Sequence, residues 1–330
     1  MDGQEEENLG NQIIFKFISG GFMKPIVRYK NGNYLVTFDT RNGTKIREND
    51  LDNLTPAFAE NCDVKITDKC DGGCAFCYEG CTANGKHGDI LNPKFLDTLH
   101  PYTELAINGN DLSHPDLIPF MYKMKDKNII LNMTVNQIHF EKNFNKIKDW
   151  IDKKLIYGLG ISLRKPTYEF IDMVKQIPNA VIHVINGIVS MPDLDTLAGN
   201  GLKILILGYK NLRRGESYYK NHNESVLELQ EDLNRYLFPE IIGHSWFDVV
   251  SFDNLAISQL HVKDHMSKEK WDSFFMGNDS EYTFYIDMVE GTFAKNSLSM
   301  YRYPIMDNID NMFNFIRKKK VTNNGQDISW

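Results

Sequence analysis

The sequence predicts an α/β fold, a partial or full (β/α) barrel preceded by a small N-terminal β-meander. Three observations predict it. Short apolar runs alternate with amphipathic segments from about residue 60 onward. Two Asn-Gly pairs punctuate an alternating stretch before that point. Four of the five cysteines fall between Cys70 and Cys81, directly after the first apolar run.

The N-terminal stretch 25–47 alternates apolar and polar residues, with Asn31-Gly32 and Asn42-Gly43 inside it. Asn-Gly suits the positive φ angles of tight hairpin turns, so a meander is expected. Covering one edge or end of the main domain is its expected role, with substrate docking as the alternative. The apolar runs that follow are 63–67, 104–108, 128–136, 157–163, 181–185 and 203–207, with later candidates at 248–251 and 283–289. Helical patterns occupy 140–154, 167–176 and 224–236. Near-continuous apolar strands separated by helices indicate a parallel sheet with right-handed crossovers, and six to eight such units suggest a barrel or part of one. The expected division is a β-rich extension over 1–57, a barrel core with C-terminal substrate-side elements over 58–320, and a loose tail over 321–330.

Hydrophobic residues make up 42% of the 330 and charged residues 25%, as in ordinary globular domains. The net charge of −7 argues against broad binding to nucleic acid or anionic membrane, and leaves a local basic patch open. Arg317 to Lys320 form one basic run, read as a solvated helix end. No apolar stretch approaches the ~20 residues that cross a bilayer. The first eight residues are acidic without an apolar core, so no secretory signal and a cytoplasmic location are expected. Clustered cysteines in odd number fit metal binding better than a disulfide framework.

The central segment reads Cys70-Asp71-Gly72-Gly73-Cys74-Ala75-Phe76-Cys77, a C-x3-C-x2-C spacing. Soft thiolates on one short loop suit iron–sulfur chemistry or zinc. Three thiolates hold three irons of a cubane and leave the fourth open, whereas a closed four-thiolate cluster usually only carries electrons. Cys81 keeps that second possibility in view: with Cys70, Cys74 and Cys77 it could build structural zinc or an electron-transfer cluster. The spacing differs from the ferredoxin run, and zinc ribbons separate two cysteine pairs by a longer loop. Cys62 is read as packing.

This motif, with an aromatic residue before its third cysteine, resembles the signature of the radical S-adenosylmethionine (SAM) superfamily. The resemblance implies a radical SAM-type barrel, a [4Fe–4S] cluster on Cys70, Cys74 and Cys77 with Phe76 beside it, and SAM on the open iron. It further implies reductive cleavage of SAM to a 5′-deoxyadenosyl radical, and a one-electron donor of the flavodoxin or ferredoxin type. Asn108-Gly109-Asn110 resembles the family's segment contacting the SAM amino group, with Asn110 in place of its glutamate. Asn136 ends the third strand as in the family's Thr-Asn-Gly. Ser162 and Arg164 alternate to one face and are similar in place to ribose or carboxylate ligands, as is Asn186. Gly208 falls where relatives contact adenine. Tyr209 and Lys210 after the sixth strand, and Asp253 after the seventh, are substrate-side candidates, because strand C-termini face the active site of such barrels. The resemblance covers residues 70 to about 210, and no cysteine follows Cys81, so a single cluster is expected. The substrate class left open is a peptide or small metabolite; nucleotide or RNA modification is the alternative.

Overall fold

The computed structural model describes residues 25–51 and 53–322. The expectations for residues before 25, and for the tail beyond the last helix, lie outside the described residues.

The first three strands, β1 (Ile26–Asn31), β2 (Tyr34–Asp39) and β3 (Thr44–Glu48), form the antiparallel meander. Both Asn-Gly pairs sit in its turns, with Gly32 at φ 61 and Gly43 at φ 81. At Gly32 a side chain would also collide with the Thr55 carbonyl, so only glycine fits.

A ten-stranded sheet follows. Its strands are β4 (Asn61–Lys65), β5 (Glu104–Asn110), β6 (Ile130–Asn136), β7 (Gly158–Ser162), β8 (Ala180–Ile185), β9 (Lys203–Leu207), β10 (Val249–Phe252), β11 (Thr283–Asp287), β12 (Thr292–Ala294) and β13 (Tyr303–Pro304). Their order is β10-β9-β8-β7-β6-β5-β4-β11-β12-β13. From β10 to β11 every pairing is parallel; β12 and β13 close the other edge as antiparallel additions. No ladder joins β10 to β13 among the described residues.

The helices are α1 (Leu117–Asp126), α2 (Gln137–Lys142), α3 (Phe144–Asp152), α4 (Tyr168–Lys175), α5 (Met191–Leu197), α6 (Arg214–Tyr236), α7 (Asn254–Gln259), α8 (Lys268–Phe274) and α9 (Ile309–Thr322). Local chemistry fixes their ends. Thr167 caps α4 by accepting from Phe170 N, and Ser190 with Asp193 forms a capping box on α5. The pattern 140–154 is split into α2 and α3 at Asn143, whose amide turns back to the His139 carbonyl at 2.9 Å. Helix α6 begins ten residues before the expected 224, and its backbone leaves helical geometry at His222. Helix α9 carries regular structure past the expected tail boundary at 321.

The sheet differs from the expected fully apolar strands in one respect that shapes everything below. One face is apolar and buried against the helices: Cys62 and Val64 on β4, Leu105 and Ile107 on β5, Ile182 and Val184 on β8, Ile204 and Ile206 on β9. The alternate positions face a hollow interior and are mixed: Asp63, Ala106, Asn132, Thr134, Gly158, Gly160, Ser162, His183 and Ser251 are polar or small, while Val181, Ile185, Leu205 and Leu207 give it an apolar side. Side chains alternate across a strand, so each sequence run supplies both faces at once.

The meander docks at the N-terminal end of the strands. Its core of Val27, Tyr34, Val36 and Phe38 packs with Ile130 and Tyr282 of the large sheet's end. The seam is polar: Glu60, 1% exposed, accepts from the Tyr34 hydroxyl and from Arg47 at 3.0 Å, while Lys45 meets Glu104 at 2.6 Å.

Candidate cofactor and substrate site

The crossover from β4 to β5 holds the cysteine loop and, instead of an α-helix, a single 3₁₀ turn at Lys94–Thr98. Strand β4 stops at Lys65, two residues short of the expected 67, because Ile66 and Thr67 pair with the returning loop through Gly88 N and a bridge to His87. A second bridge joins Lys69 to Thr82, and Cys70 N donates to the Thr82 carbonyl at 2.9 Å. The loop is therefore a short ribbon with its cysteines at the tip. Lys65, 2% exposed, ties it down from below: its ammonium meets Asp68 at 2.5 Å and Glu79 and Asp287 at 3.4 Å.

Cys70, Cys74 and Cys77 are half-buried; Cys62 and Cys81 are buried. Cys70, Cys74, Cys77 and Cys81 all border one cavity of about 700 Å³ along the inner face of the sheet. Gly72 lies against the Cys70 sulfur and its N–H donates to it at 3.4 Å; a Cβ there would come within 3.3 Å of that sulfur. Cys74 Sγ accepts from Arg164 Nη1 at 2.8 Å and from Asn136 Nδ2 at 3.5 Å. Arg214 donates to the Cys74 carbonyl at 3.1 Å. A hydrogen bond from Cys81 holds the Cys77 thiol down at about 6 against the opposing effect of burial, and the same bond pushes Cys81 up. Burial raises Cys70. Among the described residues no three His, Cys, Asp or Glu side chains converge on a single ion.

The other expected cofactor residues fall into two groups. Phe76, Ser162 and the amide of Asn136 face the cavity, and the Arg164 guanidinium reaches the cluster loop. Asn108 and Asn110 also border it, but their side chains brace the loop: Asn108 accepts from Ile66 N at 2.7 Å and donates to the Thr67 carbonyl at 2.9 Å, and Asn110 donates to the Lys69 carbonyl at 3.1 Å. Gly109 packs against Met133, where a Cβ would sit 2.7 Å from Cγ. Asn186 is buried outside the cavity wall; its amide donates to Gln259 at 3.2 Å, and its Oδ1 has no partner among the described residues. Gly208 donates to Asp253 Oδ1 at 2.9 Å.

Of the substrate-side candidates, Lys210 and Asp253 line the cavity and Tyr209 does not. The Tyr209 ring is buried and its hydroxyl donates to the Gly215 carbonyl at 2.7 Å, which commits it to the α6 junction. Lys210 Nζ donates to Ser297 Oγ at 3.2 Å and stands 4.1 Å from the centre of the Tyr78 ring. Asp253 caps α7 through Ala256 N at 2.7 Å. Burial raises its carboxyl, with Lys210 opposing.

Two cavity residues had no place in the sequence reading. Asp63 is enclosed by the sheet yet faces the open interior; burial pushes it up to about 6, with Lys210 opposing and Asp279 and Asp253 adding to the rise. His183 lies across Gly160, and burial lowers it to about 4, so it is neutral. The available signal was an ionisable residue within each apolar run.

No protein-family model matches the chain, and no curated protein matches it in sequence. A crystal structure of Streptococcus suis SuiB bound to S-adenosylmethionine matches in fold, with a TM-score of 0.55 and 10% identity over 88% of this chain and 87% of that one. At that identity the likeness is one of architecture.

Proposed function

We propose that this chain is a radical SAM enzyme that takes hydrogen from a peptide or small metabolite. One observation carries the reading: a C-x3-C-x2-C loop leaves the C-terminal end of a central parallel strand and borders the cavity of the sheet. The fold it shares with SAM-bound SuiB supports it. The donor set fits the cofactor. Three thiolates sit on one braced loop, glycine leaves room beside Cys70, and N–H donors face the sulfurs, as in sites that tune cluster potential.

Cys70, Cys74 and Cys77 would hold three irons. A [4Fe–4S] cluster held there would, together with SAM, supply a radical able to abstract hydrogen from carbon. The remaining residues position and protect. Arg164 places a permanent cation beside Cys74, and Ser162 and Asn136 offer polar groups on the same wall. Electrons come from an outside donor of the flavodoxin or ferredoxin class.

Cys81 supports a second reading, a closed four-thiolate electron carrier, because its sulfur borders the same cavity and contacts Cys77. One experiment separates the two. Protein reconstituted anaerobically with iron and sulfide, then given SAM and dithionite, is assayed for 5′-deoxyadenosine by mass spectrometry. The expected result is product from the native chain and from Cys81→Ala, and none from the triple variant Cys70→Ala, Cys74→Ala, Cys77→Ala. A fully loaded cluster that leaves SAM intact in the native chain would hand the site to the second reading.

A further inference from the structure

The cavity carries charges that the cofactor reading leaves unused. Among the Asp, Glu, Lys and Arg side chains that line it are Asp63, Lys65, Glu79, Glu104, Lys210 and Asp253. Three of these are matched already: Glu104 by Lys45 at 2.6 Å, and Glu79 with Lys65 at 3.4 Å. Asp279, whose charge also bears on Asp63, is held on both oxygens, by Asn254 and Asn296 at 2.6 Å each.

That leaves Asp63, Asp253 and Lys210. Asp253 spends Oδ1 on the N–H groups of Gly208 and Ala256, and its Oδ2 has no protein donor among the described residues. Asp63 accepts no hydrogen bond and joins no ion pair among the described residues. Lys210 is turned toward Ser297 and the Tyr78 ring and pairs directly with neither carboxylate. On the adjoining strands Asp63 stands in register with Tyr285 and Ala106, and the alanine methyl leaves the space on one side open. Two carboxylates against one ammonium leave one negative charge in excess. Asp63 is open to the cavity but lies deep within the sheet with no protein group to pair with among the described residues, and the surrounding protein raises its carboxyl, as it does that of Asp253. Strongly perturbed groups in a cleft point to a ligand that completes them.

We propose that Asp63, supported by Asp253, is the subsite for a positively charged group of the substrate, a primary ammonium or a guanidinium. The proposal deepens the radical SAM reading and rests on it, since it is that reading that makes the cavity a reaction chamber. One cation seated at Asp63 neutralises the excess and anchors the substrate on the strand that leads into the cysteine loop. SAM brings positive groups of its own, so the test must tell the two apart.

The test uses the full-length reconstituted enzyme with SAM present, under anaerobic equilibrium dialysis. The probes are the Nα-acetyl methylamides of lysine and arginine, with that of norleucine as the uncharged comparison. At least one cationic probe binds about tenfold or more tightly than norleucine, a difference worth about 1.4 kcal/mol. Asp63→Asn abolishes the preference, Asp63→Glu retains it, and SAM affinity is the same in all three proteins. Equal binding of charged and uncharged probes overturns the proposal, as does no binding of either cation. So does an Asp63→Asn variant that weakens SAM while keeping the preference, which would assign Asp63 to the cofactor. 5′-Deoxyadenosine measured on the same native preparation isolates the cause: its absence fells the underlying reading, and its presence without a cation preference fells only the subsite.

Discussion

His183 and Gly160 occupy one space. A Cβ on Gly160 would come within 2.3 Å of the His183 ring and 2.9 Å of Thr134 Oγ1. The glycine is therefore set by what lies on it, since its φ needs no special freedom. Gly160→Ala should cost about 1–3 kcal/mol, the range for overpacked interiors. Because a ring causes the clash, Gly160→Ala with His183→Ala should recover much of the loss, as a double-mutant cycle in urea would show. Additive losses would mean that the backbone itself rejects the methyl. At this scale the sequence was uneven. The cysteine spacing was legible as a candidate ligand set because ligand count and spacing are local. The roles of Asn108 and Asn110 were not legible, because a register irregularity between them and a φ of 49 at Asn110 turn both amides toward the loop. The Tyr209 hydroxyl was hidden for a like reason: its acceptor belongs to the next element.

The meander illustrates the element scale. Its hairpins were legible from two Asn-Gly pairs, yet the seam that seats it was not. Arg47 and Glu60 belong to different elements, and only the docking angle makes them partners. Glu60 is 1% exposed and takes its charge balance from Arg47 at 3.0 Å, with Lys45 farther off at 3.9 Å; the Arg47 guanidinium also lies 3.8 Å from the Tyr282 ring centre. Removing one partner of a buried pair strands the other, so Arg47→Met should cost about 3–5 kcal/mol in chemical denaturation. It should also open the 49–60 connection to limited proteolysis. Arg41→Met is the control, since the Arg41–Asp39 pair stands in solvent and should change little. Equal behaviour of the two variants would show that the seam contributes no more than a surface pair.

On the scale of the whole molecule, strand order was legible and the hollow interior was not. Strands β4 to β10 lie side by side in chain order, as alternating strands and helices require. The segment expected at 283–289 appears as β11, returning beside β4. Apolar runs gave no sign that one face would be left unfilled, because interior and exterior residues interleave in each run. The hollow has an energetic signature. Asp63 has a folded pKa of about 6 against an ordinary 3.8. An acid raised on folding binds more protons in the native state, so stability falls as pH rises from about 4 through about 6. Above that window the charged carboxylate is a standing cost; below about 4 it is protonated in both states and the cost vanishes. Asp63→Asn should therefore raise the melting temperature at pH 8, and the gain should fade as pH drops to about 4. A gain that does not depend on pH would mean that packing, and not charge, governs the position. No described helix is long and apolar enough to cross a membrane.

The bracing of the cysteine loop has a consequence for life in oxygen. Asn108, Asn110, Lys65 and Arg214 grip carbonyls, backbone N–H groups and carboxylates, and the ribbon is laced through its own main chain. Those bonds use no sulfur that iron would claim. Zinc fingers collapse when stripped, because their metal is also their core. The bracing bonds are the protein's own, so on the proposed reading loss of a bound cluster would be an injury of chemistry rather than of shape. On that reading the chain would be mended by delivering fresh iron and sulfide to a finished mould, with no refolding between one working life and the next.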